Sequence, residues 1–140
     1  MNAPLYTTEI LRLAASLQEP HSLDREDGRA ELRSPTCGSR ISLAVQLDDD
    51  RRVERISMQV HACAFGQASA ALVERHSRGR RHDEISEAML ALSRWLASEH
   101  DDDPHWPEVA ALAPARPRRA RHGAILLPFR ALLAAIEAAR

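Results

Sequence analysis

No lysine occurs anywhere in this chain of 140 residues; all 19 of its basic positions are arginine. That pattern reads as the codon bias of a GC-rich genome and carries no chemistry of its own. Cysteine is almost as scarce. Two residues, Cys37 and Cys63, are too few for the disulfide framework of a small secreted domain, so a cytoplasmic protein with free thiols is the simplest expectation. No apolar run is long enough to cross a membrane. The start, Met1 to Leu17, spaces its apolar residues at helical intervals, interrupted by Glu9 and Arg12, and does not form the continuous block of a secretory leader. A charge of one sign is missing as well. The formal net charge of -1 argues against general nucleic-acid binding, which needs a basic surface to displace counterions. Finally, there is no nucleophile elbow, no glycine-rich phosphate loop and no spaced carboxylate pair, which points away from an enzyme.

What is present fits one domain over residues 1–140, long enough for a core of its own. Thr7 or Thr8 caps a first helix running to about Leu17, and Glu19-Pro20 stops it. Asp27-Gly28 is a turn signal. The period then changes. Ile41, Leu43, Val45 and Leu47 alternate with Ser42, Ala44 and Gln46, and Ile56, Met58 and Val60 alternate with Ser57, Gln59 and His61. Across the polar Asp48–Arg51 connection these make an antiparallel hairpin, with Ala30–Arg33 as a third, shorter strand. A hairpin alone is not stable in water, so helices must cover its apolar face. They follow: one from Ala64, ended by Gly79; a second from His82-Asp83, with Asp83 and Ser86 as cap candidates; an irregular link over 99–121; and a last helix from about Pro128, a residue suited to a first helical turn. The class is α+β, a small three-stranded antiparallel sheet packed against several helices.

Chemistry concentrates at the two cysteines. Cys37 lies in the turn Ser34-Pro35-Thr36-Cys37-Gly38-Ser39 immediately before the hairpin, where Gly38 brings backbone close to the sulfur and leaves an amide to donate to it. Cys63 follows the second strand and precedes a helix. The start of one hairpin strand and the end of the other lie side by side, so the two thiols should meet at one end of the sheet. A helix N-terminus also stabilises a thiolate, the form that binds metal or attacks sulfur. Two thiols do not complete a zinc or cluster site, and histidine is the natural supplement. Of seven, His61 sits two residues before Cys63 and His122 in Arg119-Ala120-Arg121-His122-Gly123; His76, His82, His100 and His105 read as solvated.

The segments Ser34–Ser39 and Cys63-Ala64-Phe65-Gly66-Gln67-Ala68-Ser69-Ala70, with the hairpin between them, resemble the NifU-like N-terminal domain, the family of the IscU and SufU scaffolds. Arg119 to Leu126 resembles the segment carrying that family's third cysteine. The resemblance implies an iron–sulfur cluster assembly scaffold or carrier that binds iron or a [2Fe-2S] cluster. Its ligands would be Cys37, Cys63 and His122, with Ser39 where the family has an Asp. Its partners would be a cysteine desulfurase and apo iron–sulfur acceptor proteins. The third cysteine matches Gly123, or Ala124 if shifted by one, so a thiolate is missing and a second copy of the chain in a homodimer, or an external thiol, would complete a cluster. Two alternatives share the pattern: a zinc-binding sulfur acceptor of the SufU kind, and a metal-free interaction module that kept the fold. SufU-like chains carry an insertion between the central helices, whereas the Gly79–His82 connection here is short.

Overall fold

The computed structural model describes residues 6–35 and 38–139. The first helix, α1 (Thr8–Ala15), begins where Thr7 Oγ1 accepts a hydrogen bond from the Ile10 amide at 3.1 Å. It ends two residues short of Leu17, and buries Ile10 and Leu13. Three strands follow, β1 (Gly28–Arg33), β2 (Arg40–Leu47) and β3 (Val53–His61), in the order β1-β2-β3 and antiparallel throughout. The period of two does what the alternation demands. Ile41, Leu43, Val45 and Leu47 of β2 and Ile56 and Met58 of β3 are buried on the inner face. The β2–β3 connection is held by Asp48, whose Oδ1 accepts from the amides of Asp50 and Arg52 at 2.9 Å each.

Helices α2 (Ala64–His76), α3 (His82–Leu96) and α4 (Arg119–Ala138) complete the layer. Arg81, not Asp83 or Ser86, occupies the N-cap of α3, and its amide donates to the Glu84 carboxylate at 3.2 Å; Asp83 Oδ1 accepts the Glu84 amide at 3.0 Å inside the first turn. Two chain segments differ from expectation. First, the last helix starts at Arg119, nine residues before Pro128, which lies in the helix interior. Pro128 has no N–H to give the Ala124 carbonyl. Burial outweighs that loss, because Ile125, Phe129, Leu132 and Ile136 are all at most 2 % exposed. Second, the 99–121 link is not irregular throughout. It contains a 3₁₀ helix (Val109–Ala115) and the fully buried Trp106. The Trp106 indole N–H donates to the Leu72 carbonyl at 3.0 Å, and its ring meets Phe129 edge-on at 5.0 Å. Arg75 and His76 on α2 both bind Glu108, fixing the segment from outside.

Two contacts set the position of α4. Against β1, Gly28 lets the helix come so close that a Cβ there would overlap the Ala135 carbonyl oxygen. Gly28 is thus the first strand residue, at a close approach, and not the turn residue its Asp-Gly context suggests. Against α2, the buried Ser69 hydroxyl donates to the Ile125 carbonyl at 2.6 Å, and a Cβ at Gly66 would lie 2.7 Å from Ala62 Cβ and 3.3 Å from Ala124 Cβ. The outer sheet face is half covered. The segment before β1 crosses it where His21 N–H donates to Ser57 Oγ at 2.8 Å and Arg25 N–H to Gln46 Oε1 at 3.3 Å. Ala44, Gln46 and Ser57 are buried beneath it.

Candidate functional site

One end of the sheet gathers the chemistry. The register places Arg33 opposite Arg40 and Arg40 opposite His61, so the β1–β2 turn and the exit of β3 share that end. The turn is closed by Ser34 N–H donating to the Ser39 carbonyl at 2.8 Å and Gly38 N–H donating to the Ser34 carbonyl at 3.1 Å. Ser34 and Ser39 are buried, and Gly38 takes φ +72, the left-handed region that favours glycine. The Gly38 amide is therefore spent on the turn and is not the free donor to sulfur that the sequence suggests. Cys37 lies outside the described residues.

Two residues past β3, Cys63 is the N-cap of α2, with extended backbone (φ -66, ψ 172) and no side-chain cap bond. Its own carbonyl takes the Gln67 amide at 3.0 Å, and the Gln67 side-chain amide donates to the Ala62 carbonyl at 3.1 Å. The local cause is the change of period at this point. The strand alternation ends at His61, and the small Ala64, Gly66 and Ala68 let a helix start close against its neighbours. The thiol is half-buried, packed on one side against the core. It sits at the N-terminus of a 13-residue helix.

His122 is within the first turn of α4, not before the helix. Its Nε2 lies 2.9 Å from the Ala115 carbonyl and 3.1 Å from the Arg116 carbonyl. Both partners are acceptors, so Nε2 carries a proton and donates, and Nδ1 is left as the nitrogen with a lone pair. The ring closes off the end of the 3₁₀ helix and borders a cavity with Leu96, Ser98 and Arg119. The α4 turn that follows it reaches α2 at the Ala124–Gly66 contact, three residues from Cys63. Among the described residues no group of three His, Cys, Asp or Glu is placed to hold a metal ion. Two of the remaining histidines are hydrogen-bonded to carboxylates and not simply solvated, His76 to Glu108 at 2.6 Å and His82 to Glu137 at 2.9 Å. The hydrogen bond from His76, and then that from Arg75, hold the Glu108 carboxyl below its ordinary range.

The chain is thus an α+β domain in which helices back a three-stranded antiparallel sheet and a cysteine starts the helix that follows the hairpin. The NifU-like N terminal domain matches residues 5–96, and the chain belongs to that family. The match spans both cysteines and stops at the end of α3, short of His122. A NifU-like protein (N-terminal) from Brucella abortus has a similar structure. It is 29% identical with a TM-score of 0.84, over 95% of this chain and 92% of that one. A protein from Fervidobacterium islandicum AW-1, described as an iron–sulfur cluster assembly scaffold for the SUF system, shares the fold at 20% identity and a TM-score of 0.81. That likeness covers 94% of this chain and 96% of the other. A hypothetical protein shares it at 24% identity and 0.69, over 92% and 96%. No curated protein matches the sequence. Among the described residues, no helix is long and apolar enough to cross a membrane.

Proposed function

We propose that this chain is an assembly scaffold or carrier whose cargo is iron or a [2Fe-2S] cluster, held by Cys37, Cys63 and His122 with Ser39 beside them. The observation that carries the reading is Cys63, a half-buried thiol at the N-cap of α2, on the sheet end where the Ser34–Ser39 turn reverses the chain. Thiolates supply most of the affinity for iron. His122 would enter through Nδ1, since Nε2 is held by the 3₁₀ helix. Two thiolates per chain leave a cluster short of its usual four, so a second copy in a homodimer or an external thiol would complete it. A cysteine desulfurase is the source of sulfur on this reading, and apo iron–sulfur proteins are the acceptors.

The test is anaerobic metal and sulfide analysis of the purified chain, followed by reconstitution with iron and sulfide. Visible charge-transfer absorption that disappears in Cys63→Ser and in Cys37→Ser is the expected result. Stoichiometric zinc lost in the same variants would replace cluster assembly with zinc-held sulfur acceptance. No bound metal, no absorption and unchanged melting of both variants would leave only an interaction module.

A further inference from the structure

The outer face of the sheet has a part that the scaffold reading does not use. The pre-β1 segment covers the half of this face around Ser57 and Gln46 and leaves the half next to the Ser34–Ser39 turn open. Across that open half the register sets Arg33, Arg40 and His61 abreast, one on each strand, all three exposed. Directly opposed residues in a sheet have Cβ atoms about 5 Å apart, and like charges so placed repel. Among the described residues neither Arg33 nor Arg40 has a carboxylate partner. By contrast, Arg25, Arg29, Arg52, Arg55, Arg75 and Arg116 each reach an Asp or Glu. Among the described residues other surface arginines also lack a carboxylate, but Arg33 and Arg40 are directly opposed across a strand pair.

We propose that this row docks an acidic segment of a partner protein. The surface around it is a shallow cavity of about 550 Å³ whose lining also includes Glu31, Ser42 and Gln59. Carboxylates over the arginine row remove the repulsion between Arg33 and Arg40. The next row back, Glu31, Ser42 and Gln59, gives the segment a polarity, because Glu31 turns acidic residues away and Gln59 offers an amide to its backbone. A short acidic peptide suits this better than a nucleic acid. The cationic row is one strand-width of residues deep, Glu31 borders it, and the chain as a whole carries a net charge of -1. Among the described residues that line it, Arg33, Arg40, His61, Glu31 and Gln59 are all exposed, so the site does not enclose a small anion. The row lies two residues from Cys63, so a partner docked here is held beside that thiol whatever the thiol binds.

The test uses the metal-free full chain, isotopically labelled, titrated with a synthetic Glu/Gly peptide while backbone amide shifts are followed. Saturable shifts centred on Arg33, Arg40 and His61 are expected. The double variant Arg33→Glu/Arg40→Glu should weaken binding roughly tenfold or more with an unchanged melting temperature, and Glu31→Gln should strengthen it, as for charges at an interface rim. The proposal is overturned by an absence of saturable shifts, by shifts centred on Arg116–Arg121, or by a double variant that binds as wild type does. Tighter binding of single-stranded DNA of equal charge would also overturn it. Because no metal is present, none of these outcomes bears on cluster assembly.

Discussion

Two glycines at opposite ends of the sheet are kept for different physical reasons, and replacing each by alanine separates them. At Gly28 the backbone is ordinary, but a Cβ would overlap the Ala135 carbonyl oxygen and lie 3.0 Å from Ala135 C and 3.1 Å from Ala139 N. All three are main-chain atoms of α4 or its end, and that helix is fixed by Ile136, Leu132 and Phe129 in the core. Relief therefore requires moving the helix, and the cost belongs at the upper end for overpacking, about 3 kcal/mol. At Gly38 nothing lies within 4 Å of the added methyl, so only the positive φ of 72° is penalised. That strain is about 1–2 kcal/mol. Both variants recover roughly 0.4–1 kcal/mol by restricting the unfolded chain. Net losses of about 2 kcal/mol or more for Gly28→Ala and about 1 kcal/mol or less for Gly38→Ala follow. At roughly 4 °C per kcal/mol for a domain of this size, the expected drops in melting temperature are about 8 °C or more and about 4 °C or less. Thermal and urea melts of the two purified variants measure this directly. A Gly38→Ala variant as unstable as Gly28→Ala, or a Gly28→Ala variant indistinguishable from wild type, would refute the close approach of α4 to β1.

Trp106→Ala should lower stability by about 3–5 kcal/mol, as large aromatic truncations in a packed core do; Trp106→Phe, which keeps a ring against Phe129 but gives up the N–H to Leu72, should cost distinctly less, and urea midpoints decide whether the link residue belongs to the core. Glu74 is pushed up mainly by burial, with the Gln18 amide, His21 and Arg75 pulling the other way. A carboxyl whose folded pKa is raised favours the native state while protonated and loses that advantage as pH rises from the unfolded value, about 4.3, through the folded one. Glu74→Gln should therefore match wild type in acid and become relatively more stable as pH approaches neutrality, with the Gln18 contact retained. Melting curves across that range that stay parallel would contradict it.

The hairpin was legible because one inner face alternates without interruption from Ile41 to Leu47 and again from Ile56 to Val60. β1 was legible only in part. Its inner positions are Gly28, Ala30 and Leu32, and glycine and alanine give little hydrophobic signal even where the backbone is closely packed. Pro128 misled for a plain reason. A proline at a helix start and a proline tolerated inside a buried helix look alike in sequence, and only the burial of both flanking turns tells them apart. Trp106 was lost among Asp, Pro and Arg because a single aromatic anchor has no period. The placement of Cys63 could be read, since it depends on where one period gives way to another. The cation row could be read only with the β1–β2 register, since Arg33 and Arg40 are separated by the turn.

The early start of α4 matters most for the site. A helix beginning at Pro128 would leave 122–124 in a loop. Starting at Arg119, the helix presses Ala124, 1 % exposed, against Gly66 one turn into α2. On the sequence resemblance, Gly123, or Ala124 if shifted by one, stands where the family's third cysteine would be. At this end of the sheet the described donors are the Cys63 sulfur and the His61 ring, while His122 lies on α4, the helix that Ser69 of α2 ties in through Ile125, with its Nε2 on the Ala115 and Arg116 carbonyls. A cluster on the proposed scaffold must draw its remaining thiolates from Cys37 and from outside the chain, which is why the copy number of the loaded protein is as informative as its metal content.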